Sequence, residues 1–255
     1  MSKIQVLFAA ILGASCLPLP AASQSPAQLY LATENAPPAA MRKGGEVTSI
    51  DTGKVRALMA RTGIAHAIEL LPWKRAYAAA LQRADGCVFS TTRTPERERL
   101  FKWIGPLDEA EWVLMGRADR NFQLRSLEDA RALRIGTYNG DARDQYLRAR
   151  GFEVDPAPSD LLNPHKLLAN RIDLWAASRR PGSKVLAQRG WAPRIVPVLS
   201  FNRVRTYLAC NRALPDTLVA RLNEAIAGMV RDGTMRQIER QYEADLAAPG
   251  KARAN

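Results

Sequence analysis

Between Asp85 and Leu107 the sequence reads DGCVFSTTRTPERERLFKWIGPL, and it concentrates groups that bind an anion. Four hydroxyl side chains, Ser90, Thr91, Thr92 and Thr94, fall within five positions directly after the apolar run Gly86-Cys87-Val88-Phe89. A short apolar run of that kind makes a buried strand. Thr94 followed by Pro95 and Glu96 predicts an N-cap and the first turn of a helix, with Arg97 beside backbone N–H groups that have no intrahelical acceptor. Open α/β sheets bind ligands at the carboxyl ends of their strands, and a guanidinium offers a planar fork of donors matched to a carboxylate. The segment therefore reads as an anion cradle.

Catalytic patterns are missing from the rest of the chain. His66 and His165 are the only histidines and neither has metal-ligand spacing; there is no Cys-x-x-Cys, His-Glu-x-x-His, Gly-x-Ser-x-Gly or glycine-rich phosphate loop. The expectation is a binding protein with no metal or cofactor, not an enzyme.

The 255 residues carry a formal charge of +12, from 37 Lys plus Arg against 25 Asp plus Glu. The arginines are scattered, without a basic run or interleaved aromatics, so a solvated basic surface is expected and nucleic acid is not. Lys3, the apolar stretch from Ile4 to Ala14, and Ala21-Ala22-Ser23 before Gln24 read as a secretory signal peptide whose apolar part is too short to span a bilayer. Cys16 raises a lipoprotein, but Gly13-Ala14-Ser15 lacks the large aliphatic residue such a site uses, so free release is expected. Cys87 and Cys210 remain in the exported chain. They are either a disulfide, allowed by an oxidising compartment, or two buried thiols.

The cradle needs a scaffold, and the flanking pattern supplies one. Strands are expected at Leu29–Thr33, Ala67–Leu71 and Gly86–Phe89, alternating with helices from Asp51 to Arg61, closed by Gly63, and from Trp73 through Leu81. This β-α-β-α-β order predicts a parallel sheet. A second α/β unit follows: strands at Trp112–Met115, Leu133–Thr137, Val154, Ile172–Ala176 and Ile195–Leu199, with helices after Ser126, after the Tyr138–Asp141 turn, and over 164–169 and 183–188. After a strand at Arg205–Cys210, Asp216 is expected to cap a helix with Leu218, Leu222, Ile226 and Met229 in register. Its apolar stripe needs a sheet to cover, and return to the first unit would leave a cleft between two lobes.

Taken in order, LPWKRAYAAALQRADG, TRTPERERLFKWIGPL, IGTYNGDA, NRIDLWA and LVARLNEAIAGMVRDGTMRQIERQY give the chain a resemblance to the periplasmic solute-binding proteins that serve polar amino-acid ABC transporters, solute-binding family 3. The resemblance implies a two-lobe α/β fold of type II, hinged at two crossings. It implies a leader over 1–23, a first lobe from 24–109 and 199–246, a second lobe from 110–198 and a flexible tail over 247–255. It also implies a monomer that delivers a small anionic or zwitterionic solute to a membrane permease. A dehydratase-like periplasmic enzyme and a sensory ligand-binding module are the alternatives on the same fold.

For the site, the resemblance implies Arg97 as the carboxylate grip, assisted by Ser90 and Thr92. Glu34, after the first strand, would meet ligand side chains or amines. Thr137, Asn139, Gly140 and Asp141 would supply donors from the second lobe. Trp73, Tyr77 or Tyr138 would form the packing wall. The position where many members place an acid for an α-ammonium falls on Ser178, followed by Arg179-Arg180, so here either Glu34 takes an amine or the ligand lacks one.

Overall fold

Alternation along each strand sends successive side chains to opposite faces, and in this protein both faces are covered. The computed structural model describes residues 28–35 and 40–247. The leader over 1–23 and Cys16, and all but Ala247 of the tail, lie outside the described residues.

Strand β1 (Leu29–Glu34) lies between β4 (His66–Leu71) and β5 (Gly86–Thr92), parallel to both. A small hairpin, β2 (Met41–Lys43) and β3 (Glu46–Thr48), stands apart from that sheet. Leu29, Leu31, Cys87 and Phe89 face helix α1 (Ile50–Thr62), whereas Ala32 and Val88 face helix α2 (Trp73–Gln82). Gly63 closes α1 in the left-handed region at φ 64°, as expected of its C-cap signal.

The second half repeats the pattern. β7 (Ile135–Tyr138) is parallel to β8 (Val154–Ala157) and β9 (Leu174–Ser178). Helices α3 (Ala142–Arg148), α4 (Asn163–Leu168) and α5 (Arg179–Gln188) belong to this half. Its apolar residues divide between two clusters, one around Val113, Met115, Trp175 and Ala177, the other around Leu114, Ile135, Leu174 and Ala176.

What joins the halves is longer than the sequence pattern suggests. β6 (Lys102–Arg117) and β10 (Ile195–Cys210) are each sixteen residues and run antiparallel side by side from Lys102↔Cys210 to Arg117↔Ile195. One end of the pair joins β5 through Thr206–Cys210, and the other joins β9 through Trp112–Gly116. A single mixed sheet results, ordered β4-β1-β5-β10-β6-β9-β7-β8. The short strands expected at 112–115, 195–199 and 205–210 are parts of these two ribbons. Register shifts at Pro197/Leu199, Ser200/Asn202 and Thr206/Leu208 interrupt the ladder between the halves, and such bulges bend and twist a strand pair locally. The two crossings of a hinged, two-lobe α/β fold are therefore present.

Two local expectations need correction. No helix starts at Thr94: the chain makes a turn, with Arg97 N–H donating to the Thr94 carbonyl at 3.1 Å, and then a single 3₁₀ turn, Glu98–Leu100. Phe101 and Trp103 are buried against Ala76 and Tyr77 and take the chain straight into β6, ending any helix there. Asp216 lies inside the first turn of α6 (Asp216–Arg231) rather than capping it; Pro215 holds the cap position. Leu218, Leu222, Ile226 and Met229 do form the buried stripe, packed on the first half's core, and α7 (Thr234–Ala247) follows.

Cys87 and Cys210, directly opposite on β5 and β10, are joined in a disulfide with S–S 2.05 Å, both fully buried. Among the described residues no helix is long and apolar enough to cross a membrane.

Candidate functional site

The carboxyl ends of β1 and β5 and the start of α2 face those of β7 and β9 and the start of α3 across a cleft of about 720 Å³. This is where an α/β sheet presents loops and helix starts to a ligand. The first lobe contributes Glu34, Asp51, Trp73, Ser90, Thr92 and Arg97; the second contributes Tyr138, Asp141, Arg143, Asp160, Ser178 and Arg179. Residues 108–112 of β6 line the cleft between them.

Arg97 is 3 % exposed, and its guanidinium carbon lies 5.6 Å from the Trp73 ring and 5.3 Å from the Tyr77 ring. The two ring centroids are themselves 5.5 Å apart, so the rings pack side by side against the cation and help to hold it in place. One nitrogen, Nη2, donates to the Gly140 carbonyl and to Gln145 Oε1, both at 3.1 Å, and so reaches the opposite lobe. Nε is buried without a partner. Trp73 Nε1 donates to the same Gly140 carbonyl at 2.9 Å, and Tyr138 OH donates to Glu34 Oε2 at 2.7 Å. These bonds draw the two lobes together over the cleft.

The second wall is braced by a buried ion network. Arg143 Nε donates to Asp141 Oδ1 at 2.6 Å, and its Nη2 to Asp160 Oδ2 at 3.3 Å. Asp160 also accepts from Trp175 Nε1 at 2.7 Å and Asn163 Nδ2 at 3.0 Å. Burial works against the charge on Arg143, but the two carboxylates outweigh it and raise its pKa. Nearer the hinge, Arg179 pairs with Glu111 at 2.5 Å and Arg180 with Asp108 at 2.7 Å.

Seen as charges, the lining leaves a specific remainder. Arg143, Arg179 and Arg180 are ion-paired, as are Asp108, Glu109, Glu111, Asp141 and Asp160. Among the described residues, Arg97 has no carboxylate partner, and Glu34 and Asp51 have no cationic one. Each of those two acids instead accepts one hydroxyl, Glu34 from Tyr138 and Asp51 Oδ2 from Ser90 at 2.6 Å. Burial, followed by the nearby charges of Asp141 and Asp160, lifts the Glu34 pKa from an ordinary 4.5 to about 7, against the opposing effects of the Tyr138 hydrogen bond and Arg143.

That shift has a measurable consequence. Between pH 4.5 and 7 the folded protein keeps a proton on Glu34 that the unfolded chain has released. Stability contributed by the bound proton is complete below the unfolded value and is lost as pH rises through the folded one. The unliganded protein should therefore lose about 3 kcal/mol across that window on account of this residue. Glu34→Gln should flatten this part of the profile, as followed by urea unfolding at a series of pH values; an unchanged slope would show that Glu34 ionises normally.

Of the residues expected from the sequence, Glu34, Trp73, Ser90, Thr92, Arg97, Asp141 and Ser178 line the cleft, together with Tyr138. The others lie behind it. Thr137 is buried, with its hydroxyl donated to Asp144 at 2.7 Å. Tyr77 packs behind Arg97 against Trp73 and Phe101. Asn139 donates its N–H to the Ala157 carbonyl, and the Gly140 carbonyl accepts from Trp73 and Arg97 of the first lobe. Asp51, Arg143 and Asp160 escaped the sequence reading. Asp51 sits in the first turn of a helix, where an acid is ordinary, and Arg143 and Asp160 meet only after folding.

The fold and cleft define a class: a two-lobe ligand-binding protein of the type II periplasmic-binding architecture. The chain belongs to family 3 of the bacterial extracellular solute-binding proteins, whose family model matches residues 29–245. Among solved structures, a histidine kinase sensor domain with similarity to periplasmic binding proteins superimposes with a TM-score of 0.77 at 19% identity, covering 84% of this chain and 95% of that one. The arginine-, lysine-, histidine-binding protein ArtJ from Geobacillus stearothermophilus gives 0.73 at 15% identity, covering 84% and 94%. The ancestral amino acid-binding protein AncCDT-1, a precursor of cyclohexadienyl dehydratase, gives 0.69 at 18%, covering 85% and 95%. No protein of curated function matches the chain significantly in sequence.

Proposed function

We propose that this is a periplasmic solute-binding protein that closes on a small carboxylate-bearing, amino-acid-like solute and, as a monomer, delivers it to an ABC permease. The observation that carries the reading is Arg97: a buried guanidinium at the cleft, packed against the adjoining rings of Trp73 and Tyr77, without a carboxylate partner and with Nε unsatisfied. A buried charge of that kind is costly until an anion completes it. A solute held by Arg97, with Ser90 and Thr92 beside it, would add contacts to Tyr138 and Asp141 on the opposite wall only when the lobes meet. Such differential contact is what shifts a hinged protein towards closure.

The test begins with protein recovered from its own periplasm, mildly denatured, with the released small molecules identified by mass spectrometry. One dominant carboxylate-bearing solute that rebinds saturably is expected, and cells lacking the protein should stop accumulating it. A solute without an acid group would overturn the assignment of Arg97; undiminished uptake would overturn the transport role and leave the sensory reading.

One observation favours a second reading. Glu34, with a pKa of about 7 and a place on the cleft wall, is poised to exchange a proton at neutral pH. An enzyme acting on a cyclic acid would use it so, and product formation from the recovered solute by the purified protein would decide for that reading.

A further inference from the structure

The other acids that border the cleft are settled within one lobe or by an arginine. Asp51 accepts Ser90 of its own lobe, and Asp160 is held by Arg143, Asn163 and Trp175 of the second. Nearer the hinge, Arg179 answers Glu111 and Arg180 answers Asp108. Glu34 is different. It ends β1 on the first lobe, beside Leu71 of β4, and its bond to the Tyr138 hydroxyl at 2.7 Å crosses to the second lobe. No cation pairs with it among the described residues.

Closure makes its surroundings. Asp141 and Asp160 oppose the ionisation of Glu34, and Arg143 favours it. All three stand on the second lobe, where Arg143 is itself held between the two carboxylates. On its own lobe the ionisable side chains that share the cleft are Asp51, Arg97 and, from α7, Tyr242. Burial, Asp141 and Glu34 itself keep the Tyr138 proton in place, so that hydroxyl stays a donor across the neutral range. When the lobes part, the second lobe's groups leave together and the carboxyl returns to water, where it ionises as an ordinary glutamate. When they meet, a carboxylate without a counter-ion is brought near two others, and protonation removes that cost. Glu34 is half-buried rather than sealed, with an edge on the cleft, so solvent reaches it in this arrangement.

We infer that Glu34 is a proton-binding site formed by closure: its carboxyl takes up one proton from the medium as the lobes meet and returns it as they part. Solute capture is thereby coupled to acidity. The proton belongs on Oε1, because Oε2 accepts the Tyr138 hydroxyl. Linkage sets the direction. In the closed arrangement the Glu34 pKa is raised from 4.5 to about 7. The proton's contribution to closure is therefore complete below the open value and is lost as pH rises through the closed one. Between those limits closure weakens about tenfold per pH unit, and above about pH 8 it levels off. A solute that needs the closed form is held more firmly in an acid medium and released more readily as the medium turns alkaline. The inference goes beyond the solute-binding reading and stands on the hinge, whatever the solute.

The experiment needs only the unliganded protein. Small-angle scattering from about pH 5 to about pH 8 should show wild type opening as pH rises, with the ratio of closed to open falling by about 10- to 100-fold. Glu34→Gln, which keeps an acceptor for Tyr138 but cannot ionise, should hold one average shape throughout. NMR of labelled glutamate carboxyls, with Glu34 assigned by its absence from Glu34→Gln, should show it titrating near 7 in wild type. In Arg97→Ala, which loses the bonds to Gly140 and Gln145 across the cleft, that midpoint should fall by about one unit or more. Loss of a neighbouring cation without opening would move it the other way. An unchanging shape in wild type, the same pH response in Glu34→Gln, or a midpoint that Arg97→Ala leaves in place or raises would each overturn the proton site. All three would leave the solute-binding reading intact, since that reading rests on Arg97 and the recovered solute.

Discussion

Arg97→Ala should weaken binding of the physiological solute by at least about 100-fold, measured by calorimetry, with the unliganded melting temperature lowered by no more than about 3 °C. Removing one member of a desolvated, hydrogen-bonded charge pair costs about 2–5 kcal/mol, and each 1.4 kcal/mol is about tenfold in affinity. Here the loss has two sources. The solute's carboxylate is left without its guanidinium, and the closed arrangement loses the Nη2 bonds to Gly140 and Gln145. Neither source belongs to the core of a lobe, so folding is little affected. The variant Arg97→Lys separates them: it keeps a cation but not the planar fork, and an intermediate loss of about tenfold is expected. Small-angle scattering of unliganded Arg97→Ala should show a more open average shape than wild type. Affinity equal to wild type in either variant would mean that the arginine only braces the aromatic wall between Trp73 and Tyr77.

The residues of the proposed anion cradle were legible in the sequence because its pieces are local. Hydroxyls at the end of an apolar run, a Thr-Pro-Glu turn and an arginine three positions later are read directly from neighbouring residues, even though the helix expected at Thr94 is only a turn. Strands β1, β4 and β5 were legible for the same reason, as was the stripe of α6, since a period of two or of three to four is a local signal. The hinge was not. The apolar residues of β6 and β10 break off where these strands leave one lobe and enter the other, so each long strand resembles two short ones or a strand and a loop. Thr137 and Gly140 show the matching limit at the site. A hydroxyl near the end of a strand is equally suited to a ligand or to Asp144, and only the fold decides which it meets. Asp51 is the opposite case: nothing distinguishes it from an ordinary first-turn acid until Ser90 and the orphaned Oδ1 are placed beside it.

Converting both cysteines to alanine, Cys87→Ala with Cys210→Ala, should lower stability by about 3–5 kcal/mol and the melting temperature by about 10 °C, without altering solute affinity. The bridge closes a loop of sequence separation 123. A loop of about that length removes close to 5 kcal/mol of freedom from the unfolded chain. Its position makes the constraint productive in the folded state as well. Cys87 lies in the first lobe before the chain departs along β6, and Cys210 ends β10 on its return, so everything between the two crossings is enclosed by one covalent link. The sulfurs belong to the core shared with α1 and α6, on the face of the sheet opposite Ala32, Trp73 and Val88, and neither cysteine lines the cleft. Reduction therefore loosens the first lobe's sheet at its β5–β10 seam while the side chains of Arg97, Glu34 and Asp51 keep their places. Urea unfolding of oxidised wild type and of the double variant measures the difference directly. Coincident midpoints would mean that β5 and β10 are held by their ladder alone, and a parallel loss of solute affinity would mean that the seam helps position Ser90 and Thr92 at the end of β5.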